Sequence, residues 1–180
     1  MASASPQRRA ILERLGLSFT VRATGVEELE SGDPELIVVE NARRKATAAV
    51  TDSPEAILGC DTVVSLDGEL FGKPPDAAGA RATLRALSDR THDVLSGVVV
   101  LAAGSERSAV ARTRVSFRAL GDGLLDWYLQ TGEWRGRAGA YAIQGAGAAL
   151  VRSVEGDYEN VVGLPLARLL DVYPELLAHR

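Results

Sequence analysis

One acid, Asp61, stands inside an otherwise uncharged run, Ala56-Ile57-Leu58-Gly59-Cys60-Asp61-Thr62-Val63-Val64-Ser65-Leu66. A charge buried without a partner is costly, so Asp61 needs a metal, a cation or water beside it, unless it lies at a strand end and caps a turn. Near the start, Ser3-Ala4-Ser5-Pro6-Gln7-Arg8-Arg9 puts small hydroxyl residues and fixed positive charge at a helix N-terminus. Free backbone N–H groups and the helix dipole suit a phosphate there, although plain helix capping with a solvated basic first turn accounts for the same residues. Lys45, and Lys73 in Gly72-Lys73-Pro74-Pro75, could supply point charges to a polyphosphate, while Glu28 and Asp61 could share a divalent cation such as Mg2+ or Mn2+ with substrate oxygens. Solvated lysines and a proline-enforced turn are the plainer alternatives. The stretch Gly139-Ala140-Tyr141-Ala142-Ile143-Gln144-Gly145-Ala146-Gly147 is glycine-rich without a dinucleotide fingerprint. Its backbone suits close approach to a base or ribose, with Gln144 offering donor and acceptor to a base edge; a bulged core strand is the alternative.

These residues need a scaffold, and the chain is long enough to build one. Its 180 residues, 46% hydrophobic and 24% charged, can bury a core without staples and are read as one domain, residues 1–180. A formal net charge of -4 argues against a general nucleic-acid binder. Cys60 is the single cysteine and reads as a small buried hydrophobe, and two histidines, His92 and His179, are too few for a histidine-rich metal centre. The opening residues lack the apolar stretch of a signal peptide, and the longest apolar run, Ser96 to Ala103, is too short to span a bilayer, so a cytoplasmic protein without a membrane partner is expected.

Ser5-Pro6 reads as an N-cap and first helical residue, followed by an apolar face through Leu15 that Gly16 ends. Leu17 to Arg22 alternates as a strand, 26–33 is acidic and turn-like, and Pro34 to Val50 is helical. The Asp61 run is a strand, Asp67-Gly68 a hairpin turn, and Glu69 to Gly72 its returning strand. Asp76 caps a helix to about Leu87; His92 to Ala102 and Arg107 to Phe117 are strands joined by a turn containing Gly104-Ser105. Gly121 to Thr131 is helical with Gly132 as its stop, Leu150 to Val154 is a strand, and Leu164 onward is helical. Helices and strands alternate without a strict βαβ rhythm, which predicts an α/β architecture on a mixed sheet.

Four blocks in order carry a resemblance: Ser3-Ala4-Ser5-Pro6-Gln7-Arg8; Gly59-Cys60-Asp61-Thr62-Val63-Val64 continuing through Gly72-Lys73-Pro74; Ala138 to Gly145; and Asn160-Val161-Val162-Gly163-Leu164-Pro165-Leu166. With Leu87 to His92 and Val115 to Arg118 between them, the chain resembles, over nearly its whole length, the Maf family of nucleoside triphosphate pyrophosphatases. The resemblance implies the elongated, two-lobed inosine-triphosphatase-like fold with a central cleft, often as a homodimer, and water attack on the α-phosphate of a nucleoside triphosphate substrate. It implies that Asp61 is the catalytic acid near the metal, that Ser3, Arg8, Lys45 and Lys73 contact phosphates, and that Glu28 is an acidic cleft residue. Asp61-Thr62 and Tyr141 to Gln144 look like the dTTP/UTP branch. An amide at 144 can donate and accept toward a pyrimidine edge, whereas the carboxylate of the 7-methyl-GTP branch favours a donor-rich or cationic base. Gln7 departs from the family, which has an arginine linked to substrate choice there. The family also begins with an apolar strand where only Met1 and Ala2 precede Ser3, so a natural start upstream is expected. A pyrophosphatase for 7-methyl-GTP or other modified nucleotides and a non-catalytic, nucleotide-sensing regulator of cell division are the competing readings.

Overall fold

The computed structural model describes residues 1–52 and 55–178; His179 lies outside them. The first helix, α1 (Pro6–Arg14), starts where the Ser5 hydroxyl accepts the Arg8 N–H and Pro6 occupies the first turn. The second, α2 (Pro34–Ala48), is capped by Asp33, whose Oδ1 accepts the N–H groups of Glu35 at 2.9 Å and Leu36 at 3.1 Å. The buried stripe of α2 is Ile37, Val38, Asn41, Ala42, Lys45 and Ala46, the spacing of one helical face. Two of its polar members, Asn41 and Lys45, therefore point at the sheet.

That sheet has the order β2-β1-β3-β4-β5, from β1 (Ile57–Leu66), β2 (Glu69–Phe71), β3 (Thr91–Ala102), β4 (Ser105–Phe117) and β5 (Val151–Glu155). The α/β class stands, but all four pairings are antiparallel, where a mixed sheet was expected. Tight turns at Asp67-Gly68 and Ala103-Gly104 join two of the pairs, and α3 (Ala77–Leu87) carries the chain past β1 so that β3 lies antiparallel to it. An intervening helix does not by itself make a parallel crossover: β2 and β3, joined through α3, are not neighbours, and β4 and β5, with an α-helix between them in the chain, are neighbours yet antiparallel.

Alternation divides the two faces of the β1–β3 pair. Asp61 lies opposite Gly97, and Gly59 opposite Val99, on the face covered by α2; Thr62 lies opposite Ser96, and Cys60 opposite Val98, on the other. The second face is packed by Ile11 and Leu12 of α1 and Leu169 of α6 (Leu166–Val172), with Leu164 between them. Helix α2 approaches very closely: a Cβ on Gly59 would lie 2.1 Å from the Ala42 carbonyl oxygen, and one on Gly97 2.3 Å from that of Val38. A larger core, including Leu84, Leu87, Phe117, Leu125, Tyr128, Trp134, Tyr141 and Leu150, joins α3 and α4 (Asp122–Thr131) to the far end of the sheet and the 138–150 segment.

Several expected elements differ. Leu17 to Arg22 forms no regular strand; it is tied to the N-terminus by Arg22 N–H to the Met1 carbonyl at 2.9 Å and by the Met1 ammonium to the Thr20 carbonyl at 2.8 Å. Alternating residues meet the pattern, but these bonds do not extend into a ladder. A short helix, α5 (Tyr158–Val162), was not anticipated; Asp157 caps it by accepting the Glu159 N–H at 2.8 Å. The glycine-rich stretch is neither strand nor α-helix but two 3-10 turns, Ala138–Ala140 and Gly145–Leu150. Among the described residues, no helix is long and apolar enough to cross a membrane.

Candidate active site

Asp61 occupies mid-strand, not a strand end, and is 5% exposed. Both carboxylate oxygens are held: Oδ1 lies 2.6 Å from the Lys45 ammonium, and Oδ2 accepts the Asn41 amide at 3.1 Å. The partner that its burial demanded is thus a lysine, delivered one helical turn after Asn41 by α2. The same Lys45 ammonium reaches the Glu28 carboxylate at 2.8 Å. Asn41 secures the acidic loop as well, accepting the Leu29 N–H at 2.7 Å and donating to the Leu29 carbonyl at 3.1 Å. Its place was legible in the four-residue spacing from Lys45, although its role was not foreseen.

On the other face of β1, Arg8 is nearly buried and uses three donors: Nε to the Gly163 carbonyl at 2.7 Å, Nη1 to Ser3 Oγ at 3.0 Å and Nη2 to Thr62 Oγ1 at 3.1 Å. Thr62 Oγ1 lies 2.7 Å from Ser96 Oγ, so the pair completes the support of the guanidinium. A guanidinium carries five N–H donors, which leaves two for an anion in the cleft that Arg8 lines. Ser5, rather than Ser3, caps the helix, and the Ser5 hydroxyl also donates to Gln7 Oε1 at 3.2 Å. Cys60 is buried, and burial pushes its thiol up from the ordinary value, so it fills the role of a small hydrophobe.

The cleft opens along the outer edge of β1. The Ala2 N–H bonds the Leu58 carbonyl at 2.8 Å, β2 joins from Val64 onward, and Asp61 and Thr62 lie between those attachments. The early part of the chain lines it with Ser3, Gln7, Arg8, Glu28 and Lys45, and later segments line it with Lys73, Glu133, Arg137, Tyr141 and Gln144. The walls enclose about 690 Å³, within the ordinary range for small-molecule sites. The residues to which the sequence assigned catalytic, phosphate, metal or base contacts, with Gln7 and Thr62, all line this one cleft. Lys73 and Gln144 are exposed, placed for a ligand rather than for the core.

Comparison with known proteins agrees with the motifs. A family model described as Maf-like protein matches residues 1–176. The chain belongs to the Maf family. Among its Maf relatives, a Myxococcus xanthus protein named dTTP/UTP pyrophosphatase is 50% identical over 169 residues, covering 92% of this chain and 86% of that protein. Relatives of the same name from Anaeromyxobacter dehalogenans, 49% identical over 173 residues (93% of this chain, 88% of that protein), and Deinococcus radiodurans, 44% over 172 (94% and 88%), are similar.

For a metal, the Maf cleft offers two carboxylates, Glu28 and Asp61, with the Lys45 ammonium between them. Among the described residues, no cluster of three or more His, Cys, Asp or Glu side chains forms an all-protein cage. Two carboxylates fit a hard cation that takes its remaining ligands from phosphate oxygens and water, the usual habit of Mg2+ at polyphosphate sites. Sequence reasoning also passed over Tyr128 and Glu133, which hold the segment carrying Gln144; acids and phenols near a helix end give no pattern that separates them from surface residues.

Proposed function

We propose that this protein hydrolyses dTTP and UTP to the nucleoside monophosphate and pyrophosphate. The observation that carries this is the meeting, in one cleft, of a buried acid held by Lys45 and Asn41 with the basic groups Arg8 and Lys73 and the amide of Gln144. The names of relatives up to 50% identical support the same reaction. When bound through Glu28 and Asp61, a divalent cation would neutralise charge on the phosphate oxygens. Arg8, with two donors to spare, and Lys73 hold the phosphate tail, and Gln144 addresses the pyrimidine edge. Asp61 orients a water toward the α-phosphorus and accepts its proton as the new P–O bond forms, and pyrophosphate leaves with the electrons of the broken P–O bond. Lys45 keeps the Asp61 carboxylate aligned through that step. A buried free thiol and nucleotide substrates suit the cytoplasm, the compartment we assign.

The test incubates the protein with dTTP, UTP and 7-methyl-GTP, with Mg2+, with Mn2+ and with chelator, resolving monophosphate, pyrophosphate and orthophosphate. Metal-dependent release of dTMP or UMP with pyrophosphate, lost in Asp61→Asn, is the expected result. Absence of turnover by folded protein overturns the enzymatic reading in favour of a nucleotide-sensing regulator, and preferential cleavage of 7-methyl-GTP overturns the pyrimidine reading.

A further inference from the structure

The segment that carries Gln144 is gripped on both flanks by groups from the end of α4. Upstream, the Ala142 N–H donates to the buried Tyr128 hydroxyl at 3.0 Å. Downstream, the Glu133 carboxylate accepts two consecutive backbone donors, Ala146 N–H at 3.1 Å on Oε1 and Gly147 N–H at 3.2 Å on Oε2. Between these points the chain passes through Ile143, Gln144 and Gly145. The two flanks also touch, because a Cβ on Gly147 would lie 1.9 Å from the Ala142 carbonyl oxygen. Gly145 has a φ of +77°, a conformation that favours glycine, and a Cβ there would stand 2.7 Å from Glu133 Oε1, so a side chain at 145 would press on the carboxylate that holds the turn.

Glu133 is itself fixed. Gly132 ends α4 in the left-handed conformation, the Glu133 N–H donates to Thr131 Oγ1 at 3.2 Å, and the next residue, Trp134, is buried with its indole N–H on the Leu129 carbonyl at 3.1 Å. A carboxylate bonded to two backbone N–H groups makes charge-assisted bonds, which are stronger than neutral ones and hold a turn more firmly. Among the described residues, Gln144 has no such anchor of its own, being an exposed side chain at the mouth of the turn.

We propose that Glu133 is a positioning residue for base selection: it acts through the Gly145–Gly147 turn to fix where the Gln144 amide stands in the cleft. The inference rests on the reading of Gln144 as the group that addresses the base. Discrimination between bases by hydrogen bonds depends on where the amide stands, so loosening the turn blurs selectivity more than it slows chemistry at Asp61.

The experiment compares wild type, Glu133→Ala, Glu133→Gln, Gln144→Ala and Glu133→Ala/Gln144→Ala for kcat and KM with dTTP and with 7-methyl-GTP. In parallel, amide exchange at Ala146 and Gly147 is followed by NMR in wild type and both Glu133 variants. Both Glu133 variants are expected to speed that exchange, Glu133→Ala by about tenfold or more and Glu133→Gln, which keeps one acceptor oxygen, by less. Glu133→Ala and Gln144→Ala are each expected to lower the ratio of kcat/KM for dTTP over 7-methyl-GTP by about tenfold, mainly through KM, and the double variant no further than either alone. Should Glu133→Ala disturb the fold, seen in its near-ultraviolet circular dichroism, the same comparison rests on Glu133→Gln. A ratio unchanged by the Glu133 variants but shifted by Gln144→Ala overturns the positioning role and leaves the Gln144 reading intact. Additive effects in the double variant overturn it too, placing Glu133 directly on the substrate. A ratio unchanged by Gln144→Ala overturns the base reading on which the inference rests.

Discussion

The Lys45 ammonium and the Asp61 carboxylate meet at 2.6 Å with both side chains almost excluded from solvent, at 10% and 8% exposure. Neither can be removed without consequence for the other. Lys45→Met strips the acid of its cation and should lower stability by about 3 kcal/mol, the usual scale for breaking a buried pair from one side. Asp61→Asn leaves Lys45 its second carboxylate, Glu28, and should cost about 1 kcal/mol while abolishing turnover. Urea unfolding monitored by circular dichroism reads the difference; equal losses for both variants would count against this ordering.

Arg8 presents its fork to three acceptors at once, on Gly163, Ser3 and Thr62. A lysine preserves the charge and forfeits that geometry. Arg8→Lys should therefore raise KM for the nucleotide by about tenfold or more and lower stability by about 2 kcal/mol. Kinetics indistinguishable from wild type would mean that charge alone suffices.

Gly97, the cross-strand neighbour of Asp61, is one of the two glycines, with Gly59, over which the α2 backbone passes in close contact with the sheet. Because the obstacle to a Cβ there is the Val38 carbonyl, part of the helix backbone, Gly97→Ala must push α2 outward and carry Asn41 and Lys45 away from Asp61. The expected cost is about 2–3 kcal/mol, with kcat falling more than the remaining folded fraction explains. Thermal unfolding and active-fraction assays together measure this, and unchanged kcat per folded molecule would separate α2 placement from catalysis.

His92 is buried beneath the cleft, 3.0 Å from the Tyr141 hydroxyl through Nε2 and edge-on to Phe117, and burial lowers its pKa from 6.5 to about 4. A folded pKa below the unfolded one means that the unfolded chain binds the extra proton first. Stability from this group is therefore complete above about pH 6.5 and is lost as the pH falls from there to about 4, in total on the order of 3 kcal/mol. His92→Gln should flatten the unfolding free energy between pH 6.5 and 4 relative to wild type; an unchanged slope would assign the loss to other groups.

The amino-acid sequence by itself determined most of the local structure and singled out candidate site residues that the fold gathers into one cleft. Proline and capping residues at Ser5-Pro6 and Asp33-Pro34, the Asp67-Gly68 turn and the apolar runs of β1 and β3 are short-range signals, and the elements begin and end within a few residues of them. Asp61 was legible because an acid inside an apolar strand demands a partner. What that partner is, only the tertiary structure decided. The lysine comes from a helix sixteen residues earlier in the chain, held in place by two glycines that read, one at a time, as nothing more than gaps in strands. Strand order was undecided, and the mixed sheet expected from the sequence proved antiparallel, for the same reason. Alternation records which residues share a face, whereas pairing depends on which faces the helices cover, and on this sheet α2 and α1 with α6 took opposite sides. The grip of Glu133 on the turn beyond Gln144 is the extreme case, since two backbone N–H groups are its targets and backbone groups look alike in any sequence.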